Sequence, residues 1–286
     1  LILINNLFIL SACVTVLLGT LYPMFAELSG GERLTVGAPF FQVTFIPLMA
    51  IPLIFAALTP FVTWKKASLR SAITATRPAL LATFAVIFLV LAFAHSKIIA
   101  AICGFGLATW LAFGSVQWLL GASGKRGKYA VFLGHIGAAL MVVGITASGS
   151  WKEETQKQAA HGQSLSIAGY NIIYENSTDI VGENYTATQA QLRVENSQGK
   201  IITTLFPQYR SYPISESNTS ETDIYYSLTG DLYSVIGETA PDGKIAIRLY
   251  FQPMINFVWL GFVLMALGGI IGAVSFQKNR KNKNRN

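Results

Sequence analysis

The chain has 286 residues, 52% of them hydrophobic and only 12% charged, with a formal net charge of +7. Soluble domains carry about 25% charged residues, so this composition excludes an ordinary soluble globular protein and indicates a polytopic membrane protein with one polar insertion. The positive charge does not lead to nucleic acid. Twelve of the 21 Lys and Arg residues fall in three short clusters beside apolar runs, and such clusters are topology signals, because basic loops stay on the cytoplasmic side.

The chain opens at Leu1 inside an apolar run with no signal-peptide pattern, and it reads as the C-terminal part of a longer protein. Six membrane spans are predicted, at about 2–22, 43–63, 78–94, 98–120, 129–149 and 255–276. Each approaches the roughly 20 residues that a helix needs to cross a bilayer. The segment 23–42 is predicted as a broken interfacial loop, interrupted by Pro23, Gly30, Gly31, Gly37 and Pro39 and flanked by Tyr22, Phe25, Phe40 and Phe41. Aromatic residues of this kind settle at a membrane–water boundary. Pro47, Pro52 and Pro60 fall in the second span, where missing N–H groups kink a helix or serve its packing. Cys13 and Cys103 show no CxxC and no zinc spacing, and they read as buried small apolar residues.

The fifth span, within KRGKYAVFLGHIGAALMVVGITASGSW at 125–151, carries one ionisable side chain, His135. An intramembrane histidine marks a functional site when a partner can be named for it. From the residues alone, His135 is either a cofactor ligand or a hydrogen-bonded contact between helices. Gly134, Gly137, Ala138 and Ala139 beside it make room for a second helix or for a flat cofactor. His95 falls at a predicted membrane edge and His161 in the polar insertion, so neither is placed to meet it.

Residues 151–253 change character. SLSIAGYNIIYEN, YTATQAQLRVEN, KIITTLFPQYRSY and KIAIRLYFQ alternate or are rich in β-branched residues over strand lengths, and NSQGK and PDGK supply hairpin turns. A small antiparallel β barrel or sandwich is expected. It shows no Ser–His or Cys–His pairing and no metal-ligand spacing, and His161 reads as a solvated loop histidine. Three Asn-X-Ser/Thr sequons, at Asn176, Asn184 and Asn218, have meaning only in a glycosylating compartment. The basic tail 277–286 placed inside puts loops 64–77 and 121–128 inside as well. Every basic cluster then lies inside, and all 14 acidic residues lie outside. The fold class is thus a polytopic α-helical membrane protein of about six spans. Residues 1–150 form a five-helix bundle, 151–253 an extracytoplasmic all-β domain, 254–276 the final span and 277–286 the tail.

GTLYP at 19–23, VGAPFF at 36–41, FIPLMAIPL at 45–53, GHIGAALMVVGI at 134–145 and GENYTATQAQLRV at 182–194 together resemble the CcmF family of cytochrome c maturation proteins. FPQYRSYP at 206–213, GDLYSVIGE at 230–238 and WLGFVLMALGGIIG at 259–272 continue the resemblance in order across nearly the whole chain. NrfE-type proteins, dedicated to a particular cytochrome, are similar. The resemblance implies a haem lyase of a bacterial inner membrane that joins haem to the CxxCH thiols of apocytochrome c on the outer face. It implies apocytochrome c, a haem-delivery chaperone and other maturation proteins as partners, together with membrane lipid. It also implies a membrane haem b held by two histidines. His135 occupies the family's GHIG position, so the resemblance makes it an axial ligand of the haem iron. None of Trp64, Trp110, Trp118, Trp151 and Trp259 forms the family's tryptophan-rich WWD cluster, so the resemblance is to the portion beyond that segment, and no catalytic residue is assigned. A non-catalytic scaffold that docks apocytochrome through the β domain is the alternative. A transporter is a third class, but no inverted repeat or polar pathway supports it.

Overall fold

The computed structural model describes residues 2–31, 35–61, 69–93, 98–121 and 127–283. Glu32, Trp64, Lys65, Lys66, His95, Lys125, Arg126 and Arg285 lie outside the described residues. The chain divides into two compact units, Leu1–Val143 with Trp259–Asn286, and Gly144–Val258.

Among the described residues, seven α-helices run in the order α1 (Ile2–Leu28), α2 (Ala38–Ala56), α3 (Leu69–Ala75), α4 (Arg77–Phe93), α5 (Ile98–Gly121), α6 (Lys128–Trp151) and α7 (Asn256–Lys283). Five of them are long and apolar enough to cross a membrane, and α4 is a shorter apolar helix of 17 residues. Each predicted span falls on one of these six.

Two boundaries differ from the sequence reading. The predicted loop 23–42 is largely helical, because α1 runs through Pro23 to Leu28. A proline removes one backbone donor without ending a helix that neighbouring groups support. The stop comes instead at Gly30, whose φ of +78° suits glycine, with the Gly31 N–H bonded back to the Ala26 carbonyl. This is the left-handed helix stop that favours glycine. Likewise Pro39 does not break structure but sits in the first turn of α2, where its missing donor is not needed. Pro60 lies past the end of α2, in a 3₁₀ turn at Thr59–Phe61.

The helices of the first unit are joined by polar groups placed where helix ends leave backbone unpaired. Trp110 on α5 donates its indole N–H to the Ile54 carbonyl near the end of α2, at 2.9 Å. Gln117 on α5 spans the break between α3 and α4. Its Oε1 accepts from Ala79 N at 3.1 Å, and its Nε2 donates to the Ala75 carbonyl at 3.2 Å. Around these contacts Ala57, Leu58, Ala72, Ala79, Trp110, Leu111 and Ala139 form the unit's buried apolar cluster.

The second unit contains ten strands: β1 (Glu153–Ala159), β2 (Ser164–Ile167), β3 (Tyr170–Val181), β4 (Thr186–Glu195), β5 (Ile201–Leu205), β6 (Gln208–Tyr212), β7 (Ser217–Glu221), β8 (Asp223–Tyr225), β9 (Gly230–Thr239) and β10 (Ile245–Pro253). They form two antiparallel sheets, ordered β1-β10-β9-β8 and β2-β3-β4-β6-β7, with β5 also paired to β4. Inward residues of both sheets, among them Ile172, Leu192, Leu232, Ile247 and Leu249, share one core, so the architecture is a sandwich. Each such side chain, fully buried, contributes roughly 1.5–3 kcal/mol. The runs SLSIAGYNIIYEN and KIITTLFPQYRSY are each two strands. The first is split by a turn at Ala168 and Gly169, both at positive φ, and the second at Phe206 and Pro207. NSQGK and PDGK are turns as expected, with Gly199 and Gly243 at positive φ.

Candidate functional site

α6 starts after Gly127, with the Val131 N–H bonded to the Gly127 carbonyl, and continues unbroken to Trp151. His135 lies seven residues beyond Lys128. At 1.5 Å per residue it is therefore about 10 Å along the axis from the basic end and about 24 Å from Trp151. Two faces of α6 are used around it. On one, Gly134 and Gly137 meet the α7 backbone at Gly268 and Gly261. On the other, Ala139, one turn after His135, is 2% exposed and belongs to the cluster with Trp110 and Leu111.

The Nδ1 atom of His135 is enclosed and has no hydrogen-bond partner among the described residues. A buried polar atom left in this way is destabilising by about 1–3 kcal/mol, so the geometry is that of a ring whose polar edge is completed by something other than these side chains. Of the two interpretations open from the residues, a hydrogen-bonded contact between helices is not formed at this atom.

The remaining candidates are dispersed. His161 is exposed in the loop between β1 and β2, with its ring 6.4 Å from that of Tyr174. His95 lies outside the described residues. Cys13 and Cys103 are exposed rather than buried. A lipid-facing helix surface is as apolar as a core, so composition could not separate the two placements. Among the described residues, no group of three or more His, Cys, Asp or Glu side chains gathers as a metal site.

The β domain has an open concavity of about 340 Å³ on β3, β4 and β6, lined by Asp179, Val181, Thr188, Tyr209 and Ser211 among others. Thr188 donates its hydroxyl to Asp179 at 3.1 Å. Beside it, the Arg210 guanidinium lies 4.5 Å over the Tyr185 ring. At the other end of the sandwich, β10 passes into α7 through Met254, whose φ is +55°. Asn256 Nδ2 there donates to the Ser227 carbonyl at 2.6 Å and to the buried Asp231 carboxylate at 3.1 Å. The contact of Asn256 with Asp231 at this junction was not predicted, because the two residues lie 25 positions apart and nothing local pairs them.

Residues 150–253 match the family described as the CcmF C-terminal beta-sandwich. A cytochrome c-type biogenesis protein of Rhodobacter capsulatus is 33% identical over 274 residues, covering 93% of this chain and 42% of that protein. The cytochrome c-type biogenesis protein CcmF of Pseudomonas fluorescens is 31% identical over 293 residues, covering 98% of this chain and 44% of its own length. A solved structure of a protein titled cytochrome c heme lyase CcmF superposes with a TM-score of 0.72 at 21% identity, over 93% of this chain and 44% of that one. That likeness shows a common fold. The chain spans less than half the length of the relatives it matches. On the matched sandwich and the near-complete coverage by these relatives, the chain belongs to the CcmF/NrfE family of cytochrome c biogenesis proteins and carries that family's C-terminal β-sandwich.

Proposed function

We propose that this multi-pass membrane protein acts in cytochrome c maturation as part of a haem lyase, with His135 as one axial ligand of a haem b held within the membrane. The observation that carries the reading is the enclosed His135 Nδ1 without a hydrogen-bond partner among the described residues. An imidazole held in oil is stable when a metal or a hydrogen bond completes it. Open space lies beside Gly134, where a Cβ would meet nothing within 4 Å, and one histidine fits one axial position. When bound, haem supplies the iron-centred redox chemistry, with its potential set by axial identity and burial. His135 would hold the iron. The apolar cluster of Ala139, Trp110 and Leu111 would keep water away.

With the basic loops and tail in the cytoplasm, His135 lies nearer the inner end of α6 and the β domain lies outside. The haem at His135 is then distant from the outer face where apocytochrome c and a haem-delivery chaperone would meet the protein. Its role in this reading is structural or redox, not that of the haem being transferred. Replacing His135 by Ala in the membrane-embedded protein should abolish the haem b absorbance and the maturation of c-type cytochrome. Unchanged spectra together with unchanged maturation would refute the assignment.

A second reading, a scaffold that docks apocytochrome through the β domain, is supported by the open concavity lined in part by Val181, 83% exposed, and by the exposed Ile214 (93%) in the turn between β6 and β7. Val181→Asp with Ile214→Asp should then prevent co-purification of apocytochrome while leaving the haem b spectrum intact. Retained capture would remove this reading.

A further inference from the structure

We infer that the loop 226–229, between β8 and β9, is a membrane-surface site whose Tyr226 and Leu228 side chains insert among the lipids where α7 meets the bilayer. Tyr226 is 67% exposed and Leu228 93%. A single exposed leucine is ordinary on a protein surface, so exposure alone decides nothing; the position of the loop does.

Three interactions fix that position. Asn256 Nδ2 donates to the Ser227 carbonyl at 2.6 Å, and Met254 N–H donates to the Thr229 carbonyl at 3.0 Å. The same Asn256 amide group donates to Asp231 at 3.1 Å, and this carboxylate is 2% exposed. Within the loop the Ser227 hydroxyl donates to the Gly230 carbonyl, so the tether and the turn are one unit. Asn256 is also the first residue of the apolar stretch Asn256–Ser275. The loop is therefore bonded to the residue at which the chain leaves water for hydrocarbon. Trp259, 66% exposed, follows three residues later, about 4–5 Å farther along the helix. Tyrosine and tryptophan favour the headgroup level, with the apolar body of the ring inward and the polar edge in water. A tyrosine on a loop tethered to the first residue of α7, next to a leucine with almost no protein contact, matches that environment. The β6–β7 turn offers an internal contrast. Ile214 there is equally exposed, but no interaction with the start of α7 holds it. The inference rests on α7 crossing the membrane and is independent of the haem reading.

The test uses the whole chain, with Cys13→Ser and Cys103→Ser, reconstituted in phosphatidylcholine vesicles. An environment-sensitive fluorophore is attached at Leu228→Cys, Tyr226→Cys or Ile214→Cys in turn. The expected result is blue-shifted emission at 226 and 228. Lipids bearing a nitroxide high on the acyl chain should quench both at least twofold, and aqueous iodide should quench them little. The 214 site should behave as in water. Water-like emission and free iodide quenching at 226 and 228 would overturn the proposal. So would a blue shift without nitroxide quenching, which would place the loop against protein, or equal nitroxide quenching at 214. If Leu228→Cys does not accumulate in folded form, the 226 site decides by the same criteria.

Discussion

Gly137 on α6 and Gly261 on α7 meet backbone to backbone: a Cβ built on Gly137 would lie 2.6 Å from the Gly261 carbonyl oxygen and 2.8 Å from Met265 N. One Cβ on Gly268 would likewise lie 2.8 Å from Gly134 N. Small residues at these steps let two helices approach where the hydrophobic effect does not drive them together. The face of α6 adjoining His135 is thereby held against α7.

Gly137→Ala should therefore destabilise the protein by about 1–3 kcal/mol through overpacking, although alanine is the better helix former by roughly 1 kcal/mol. Gly269→Ala, with nothing within 4 Å of the new methyl group, should be neutral or stabilising. Thermal unfolding of the two variants in nanodiscs checks the difference. Equal midpoints would mean that the helices can separate without loss.

These glycines show what was legible in the sequence. The spans were visible because twenty apolar residues have few alternatives, and His135 was visible because it is the lone ionisable group in its run. Two glycines three residues apart, Gly134 and Gly137, by contrast, say only that some close approach occurs, and not with which helix. Pro23 and Pro39 misled for a related reason. Each removes one donor, and whether a helix survives depends on neighbours that a local reading does not contain. The strands β1, β7, β8 and β9 were not read as strands: EETQKQA is almost wholly polar, SNTSE is polar throughout and DIY is short, and pairing with β10, β6 and β9 makes these three strands.

Gln117 predicts a second outcome. It bonds both Ala79 N and the Ala75 carbonyl, and leucine at this position would leave both backbone groups without that partner. Gln117→Leu should lower stability by about 1–3 kcal/mol, chiefly through the N–H of the buried Ala79 left unpaired. A midpoint within experimental error of the parent would show that other groups or water replace the clamp.

Gly230 carries a third. Its φ of +156° is one that L side chains rarely adopt, and a Cβ there would lie 2.6 Å from the Gln252 carbonyl oxygen and 2.8 Å from the Phe251 ring. Gly230→Ala should destabilise the β domain by about 2 kcal/mol or more, through strain as well as overlap. Gly243→Asn should be tolerated, because φ there is +79° with open space around it and asparagine adopts this region most readily. Proteolysis of the β domain in the intact protein reports both variants, and equal resistance would contradict the account.

A fourth concerns pH. Arg248 donates to Glu154 from Nε at 2.8 Å, and this bond holds the Glu154 carboxyl below its ordinary 4.5. Folding thus favours the carboxylate. The contribution is fully present above about pH 4.5 and is lost as pH falls through the depressed value. Both side chains are exposed, so the effect is a small one. Glu154→Gln should remove this part of the acid sensitivity, seen as a shallower loss of β-sheet circular dichroism below pH 4.5. Identical acid profiles would show that the pair contributes nothing.

Imidazole rescue tests the central assignment most directly. His135→Gly, prepared in the native membrane, should lack the reduced-minus-oxidised haem b spectrum and regain most of it when free imidazole is supplied, because the missing ring is what the iron lacks. Full haem b absorbance in His135→Gly without added imidazole would contradict the account.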